Sequence, residues 1–131
     1  MNPKKEIRKK FKNDVYKRDK FTCRHCGLKY TPEEAEMYLD AHHITDRNEM
    51  PNGGYVKENG ISLCKYEQPI PGQELRKDSE ENSCHMKAEK FHISEGKEWV
   101  PGMHPDELYK LIGSSKEEAV KASEKLWKQQ K

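Results

Sequence analysis

The chain is short of apolar residues. Of its 131 residues only 32% are hydrophobic, while 37% are charged. An ordinary globular domain is roughly 45–50% apolar by a count that includes glycine. A core built from so little is thin, and small thin-cored chains commonly rely on disulfides or a structural metal. No apolar run approaches the roughly 20 residues of a membrane-spanning helix. The start, Met1-Asn2-Pro3-Lys4-Lys5, lacks the apolar segment of a secretory signal. No internal repeat is visible, which excludes a repeat array. These absences point to one domain, or one small domain with tails, in a reducing cytosolic compartment. The four cysteines read there as metal ligands rather than as disulfides.

Formal net charge is only +2, but it is unevenly spread. Lys4, Lys5, Arg8, Lys9, Lys10, Lys12, Lys17, Arg18 and Lys20 face only Glu6, Asp14 and Asp19 within the same stretch. Between Tyr66 and Asn82 the balance reverses, with Glu67, Glu74, Asp78, Glu80 and Glu81 against Arg76 and Lys77. A basic arm beside a near-neutral body suits a polyanionic partner. A solvated helix face accounts for the same charges equally well.

Local patterns divide the rest. Ile7, Phe11 and Val15 recur every fourth residue and predict a helix over residues 3–18. Thr31-Pro32-Glu33-Glu34 has the form of an N-cap, a proline at N1 and a first-turn acid pair. The segment after it is one or two helical turns, or a loop. Residues 37–44 alternate and read as a strand with Met37, Leu39 and Ala41 on one face. Asn52-Gly53-Gly54 marks a turn, and Gly60 to Cys64 reads as a second strand. The two strands form a hairpin with a long connection over about residues 45–58. Residues 65–83 hold two prolines, a glycine and many acids, and read as a surface insertion. Ser83 to His92 is helix material, with Ala88 and Phe91 toward the core. Pro105 to Gly113 is a short helix. Ser115-x-x-Glu118 has capping-box form and opens a last helix to about Lys128, with Ala119, Ala122 and Leu126 on one side.

The chemistry-bearing residues fall in two sets. Cys23-Arg24-His25-Cys26-Gly27 has the spacing of a zinc knuckle, whose turn directs two thiolates to one point. Cys64 and Cys84 complete a tetrahedral set, one from a strand end and one from a helix start. Four free buried thiols are the alternative. The second set is histidine-rich. His42 and His43 are adjacent at a strand end, and successive strand residues point to opposite faces. His85 and Glu89 share a helical face at a spacing of four, with His92 a further turn along. The spacing allows a second metal held by His42 and His85.

The runs Arg18 to Gly27, Ala41-His42-His43-Ile44, Gly53-Gly54, Glu58 to Cys64 and Cys84-His85 together resemble the HNH endonucleases of the zinc-knuckle kind. The resemblance covers roughly residues 18–92. It implies an α+β fold, a small ββα-metal core with a structural zinc knuckle, flanked by an N-terminal basic helix and C-terminal helices. It divides the chain into a basic arm (1–20), a knuckle and core (21–95, with the insertion 65–83) and a helical extension (96–131). It implies a phosphodiesterase acting on DNA, with His43 as general base and Asn59 orienting that base or its loop. His42 and His85 would hold a catalytic divalent cation (Mg²⁺, Mn²⁺ or Ni²⁺), and Cys23, Cys26, Cys64 and Cys84 a structural Zn²⁺. Glu89 and His92 are candidate extra ligands or supporting groups, and Arg47 and Lys57 candidate phosphate contacts. The products would carry 5′-phosphate and 3′-hydroxyl ends. The resemblance also suggests a bacterial or phage-encoded protein, acting as a homodimer or within a larger phage or restriction assembly.

One departure stands out. The family closes with a second Cys-x-x-Cys before its last histidine, whereas here Lys65 to Ser83 separate Cys64 from Cys84. Loop closure grows only slowly with length, so an inserted loop costs about 2 kcal/mol and leaves the zinc site tenable. Two other functions remain: a non-catalytic zinc-containing nucleic-acid-binding module, and a regulatory protein using the scaffold against a protein partner. The presence of both His43 and Asn59 favours the nuclease.

Overall fold

In the computed structural model, residues 3–65 and 83–126 are described. Their elements are α1 (Pro3–Arg18), α2 (Pro32–Tyr38), β1 (Leu39–His43), β2 (Gly60–Cys64), α3 (Cys84–Ile93), α4 (Pro105–Leu111) and α5 (Lys116–Glu124). This is a small mixed arrangement of helices around one two-stranded antiparallel sheet. None of the helices is long and apolar enough to cross a membrane.

The hairpin is the centre. β1 and β2 pair from Leu39 opposite Cys64 to His43 opposite Gly60. Every residue of β2 is buried, whereas Asp40, Ala41 and His43 of β1 are half-buried. α1 covers one side through the stripe its spacing predicts, and Ile7, Phe11 and Val15 are all buried. Gly60 makes this approach possible. A Cβ there would stand 2.5 Å from Val15 Cγ2 and 2.7 Å from Phe11 Cε1. Tyr16 is also buried, and its hydroxyl donates to the Leu39 carbonyl at 2.8 Å. At the end of α1, Asp19 is buried and accepts from the Ser62 amide at 2.9 Å. Arg18 pairs with Asp19 at 2.8 Å and donates to the Gly60 carbonyl at 2.6 Å.

α2 begins with a complete capping box between Thr31 and Glu34. Its last turn takes in Met37, which is 56% exposed, so the strand expected from Met37 starts only at Leu39. The local capping signal outcompetes the alternation, which needs a partner strand to count.

The connection from β1 to β2 winds through short turns at Arg47–Glu49, Pro51–Gly54 and Lys57–Asn59. Asn52 (φ 54°) and Gly53 (φ 80°) adopt left-handed backbone there. α5 packs against these turns, and the Asn52 amide donates to the Ser123 carbonyl at 2.8 Å. On α5, Ala119 is buried as expected and Ala122 is half-buried, and Leu126, two residues past the helix end, is buried as well. The Ser115 hydroxyl caps α5 by accepting from the Glu118 amide at 3.1 Å. α3 crosses the sheet with Ala88 buried. Phe91 is only half-buried, because it turns toward Trp99 and His104 rather than the main core. The insertion read over 65–83 lies almost entirely outside the described residues, and the last helix, expected to about Lys128, ends at Glu124.

Candidate metal centre

Two clusters of ligating side chains lie on the hairpin, one at each end of β1. The first is the four cysteines, whose sulfurs all lie within 4.8 Å of one another. Cys23 and Cys26 come from the knuckle, Cys64 from the end of β2 and Cys84 from the first residue of α3. The knuckle is shaped by backbone bonds from the Cys23 amide to Leu28 and from the Gly27 amide to Cys23, each 2.9 Å. Gly27 has φ +81°, a left-handed conformation glycine adopts at no cost. The Cys26 and Cys64 amides approach Cys23 Sγ at 3.5 and 3.3 Å. Ser83 caps α3 by accepting from the Met86 amide at 3.1 Å, which fixes where Cys84 begins the helix. Thus Cys64 and Cys84 meet despite the long stretch between them.

The thiols behave as a set. Hydrogen bonds from Cys64 and Cys84 hold Cys23 far below the ordinary thiol range. Sharing with Cys23 pushes Cys64 up to about 12 and raises Cys84 further, while burial raises Cys26. Cys23 is therefore the sulfur of the four that ionises most readily. A tetrahedral Zn²⁺ with bonds of about 2.3 Å spaces its sulfurs about 3.8 Å apart, and this arrangement fits it. His25, whose Nδ1 is 3.3 Å from Cys84 Sγ, flanks the same cluster.

The second cluster is formed by His42, Glu89 and His92, whose ligating atoms also lie within 4.8 Å of one another. His42 is buried in β1, with ring centroids of His85 at 5.4 Å and His92 at 5.3 Å. Glu89 Oε1 is 3.0 Å from His42 Nδ1, but off the line a hydrogen bond requires. Neither ring nitrogen of His42 has a well-formed hydrogen bond. An imidazole buried in that state is unusual, and a cation shared with Glu89 and His92 would satisfy it. The surrounding contacts match those of metal-binding histidines, which give their second nitrogen to a carbonyl or carboxylate. His92 Nε2 lies 3.1 Å from the His43 carbonyl. His85 Nδ1 lies 3.2 Å from Asp40 Oδ2, and its Nε2 lies 3.4 Å from Glu89 Oε1. His85, expected as a principal ligand, thus borders the cluster through Glu89, while Glu89 and His92 stand in its centre.

Electrostatics leave this centre ready for a cation. Burial holds the His42 imidazole below its usual range, in the neutral form that binds metals, although Glu89 opposes this. Burial alone would raise the Glu89 carboxyl, but His42 and His85 outweigh it and keep it ionised. Burial likewise works against charge on His85, where Glu89 and Asp40 prevail and raise it.

His43 has other neighbours. Its ring stacks on Phe11 at 4.7 Å and meets the edge of Tyr55 at 4.8 Å. Its Nε2 is buried without a partner. Burial, then the charges of His42 and Arg47, pushes its pKa down to about 4. Asn59 is fully buried and makes no hydrogen bond to that ring. Its Oδ1 accepts from the Thr45 amide at 3.0 Å and from the Tyr109 hydroxyl at 2.7 Å. Its Nδ2 donates to the carbonyls of Thr45 at 3.0 Å and Gly54 at 3.3 Å. Asn59 therefore ties the two ends of the hairpin connection together, just beyond His43. Arg47 is exposed and lines one pocket with Tyr55, and Lys57 is exposed in the last turn of the connection.

Asp40 and Tyr109 escaped the sequence. Asp40 stands two strand positions before His42, a spacing that puts both on one face and could have revealed it. Tyr109 arrives from α4, and nothing local signals its contact with Asn59. Compared with known proteins, the chain matches no protein-family model, no curated protein and no solved structure.

Proposed function

We propose that this protein is a metal-dependent DNA endonuclease of the HNH kind. The observation that carries the reading is the buried His42, without a hydrogen bond at either ring nitrogen, beside Glu89 and His92 and one residue from the unpartnered Nε2 of His43. His42, Glu89 and His92, with His85 at the border, would hold a divalent cation such as Mg²⁺, Mn²⁺ or Ni²⁺. When bound, that cation neutralises charge developing on the scissile phosphate and on the leaving 3′-oxygen. His43, neutral at cellular pH, takes the proton of the attacking water at Nε2. The water oxygen bonds to phosphorus, the bond to the 3′-oxygen breaks, and the departing oxygen takes a proton from solvent water, so that 5′-phosphate and 3′-hydroxyl ends result. Asn59 keeps the connection after His43 in one conformation. Cys23, Cys26, Cys64 and Cys84 hold a Zn²⁺ that fixes α3, and with it Glu89 and His92, against the hairpin.

The test is plasmid cleavage by wild type and His43→Ala with Mg²⁺, Mn²⁺, Ni²⁺ or EDTA. Metal-dependent nicking or linearisation that the variant loses is the expected result. Full activity in the variant removes His43 as base. A second reading, a zinc-containing nucleic-acid-binding module without catalysis, draws support from the packing of His43 between Phe11 and Tyr55. Absence of cleavage with every metal, together with salt-sensitive binding of DNA, selects it.

A further inference from the structure

The proposed hydrolysis leaves two arginines without a task. Arg8 on α1 and Arg47 in the first turn after β1 line one pocket of about 280 Å³, together with Tyr55 and Gly53. Arg8 Cζ is 5.8 Å from the centre of the Tyr55 ring, and although burial alone would raise the Tyr55 hydroxyl, Arg47 and Arg8 outweigh it and lower its pKa. Among the described residues neither arginine is paired with a carboxylate. Two cations drawn to one neutral phenol repel each other, and an anion between them would relieve this.

The phenol itself is held in place. A Cβ at Gly53, whose φ is +80°, would stand 2.6 Å from Tyr55 Cε2. The ring therefore lies directly over backbone that only glycine leaves open. Its other contacts are Phe11, at 5.7 Å between ring centres, and His43 at 4.8 Å. Tyr55 thus lines the pocket and also touches the proposed base. A larger groove of about 970 Å³ shares Ile7 and Tyr55 with it and continues along α1 past Lys17, Lys57 and Lys125.

We propose that Arg8 and Arg47, which line one pocket with Tyr55, form a clamp for one backbone phosphate of the DNA strand, next to the phosphate that is cleaved. The clamp rests on the nuclease reading for the position of the cut. A phosphodiester offers two unesterified oxygens, and a guanidinium fork matches them better than a lysine ammonium does. The clamp carries no base information and sets the register of the strand over His43. The lysine-lined groove continues the same track for the neighbouring phosphates.

Binding of a fluorescent DNA duplex, without added divalent metal, tests the clamp over a salt series. Arg8→Gln with Arg47→Gln is compared with Lys9→Gln with Lys87→Gln, which removes the same charge from exposed positions outside the pocket. The arginine pair is expected to weaken binding about tenfold or more and to lower the slope of log affinity on log salt by about 1. Tyr55→Phe should weaken binding by a smaller factor. In cleavage assays the arginine pair should raise KM with little change in kcat, since the clamp grips ground and transition states alike. An arginine pair that binds with the affinity and slope of the lysine pair overturns the clamp. If such a protein still cleaves, the nuclease reading survives alone. If the arginine pair weakens binding but wild type fails to cleave with every metal tested, the nuclease reading falls and the clamp stands as a DNA-backbone site.

Discussion

Asn59 shows how much one buried polar side chain can organise. Its amide satisfies Thr45 through both backbone groups, and also Gly54 and Tyr109. Asn59→Ala strands those buried groups, each worth about 1–3 kcal/mol when left unsatisfied. The expected loss is about 3 kcal/mol of stability, read from the urea midpoint, with zinc content unchanged because the cysteines lie at the other end of the sheet. Gly60 matters for the opposite reason, an absent side chain. Gly60→Ala drives a methyl into Val15 and Phe11, and about 1–3 kcal/mol of overpacking should appear as a lowered melting temperature.

His43 adds a pH dependence at the same scale. Its folded pKa of about 4 lies below that of a free imidazole, about 6.5. Between those values the unfolded chain binds more protons, so stability falls as pH falls through that window and is regained as pH rises. His42 and Glu89, both shifted down, act in the same direction, whereas His85, shifted up, opposes them. In protein without added divalent metal, His43→Gln should therefore flatten the loss of stability between about pH 6.5 and 4. A profile parallel to wild type would mean that His43 is not held neutral by its surroundings.

At the scale of elements, the knuckle, β2 and α3 all reach the cysteine cluster, and the Arg24 amide also donates to the Ser62 carbonyl at 2.9 Å, so the cluster acts as a joint. Cys23 is fully buried and Cys26 is exposed at the rim. Removing either ligand should cost the zinc, and Cys23→Ala should cost more of the fold than Cys26→Ala. Zinc content by native mass spectrometry, paired with melting curves, measures both effects. An unchanged melting temperature in Cys26→Ala would argue against a structural zinc. α3 carries a ligand of each cluster, Cys84 at its first residue and Glu89 one turn and a half later. Loosening the cysteine end should therefore lower the affinity of the His42, Glu89 and His92 cluster for an added divalent cation as well.

For the whole molecule the decisive quantity is the small apolar content. Structural zinc contributes on the order of 10 kcal/mol in small domains, similar to the entire stability of a chain this size. Stripping it with a strong chelator should unfold the protein, as near-complete loss of the tertiary circular dichroism signal, and re-adding Zn²⁺ should restore it. A chelated protein that melts as before would mean that the thin core suffices.

Much of this was legible in local order. The stripe Ile7, Phe11 and Val15, the Thr31–Glu34 cap, the knuckle spacing and the strand from Gly60 to Cys64 each depend on near neighbours, and near neighbours are what a sequence displays. The pairing of the two halves of the cysteine set was also legible, because unsatisfied ligands have few other uses. What remained hidden depends on residues far apart in the chain. Met37 went to the helix because its cap was stronger than an alternation without a partner. The centre of the second cluster moved from His85 toward Glu89 and His92 once α3 was laid across β1, since the crossing decides which turn of a helix faces His42. Tyr109 on Asn59, and Arg8 beside Arg47 at Tyr55, likewise exist only after folding. By itself the sequence determined which ligands and which short elements are present. The tertiary structure decided which of those ligands meet, because that choice is set by the angles and separations of packed elements rather than by spacing along the chain.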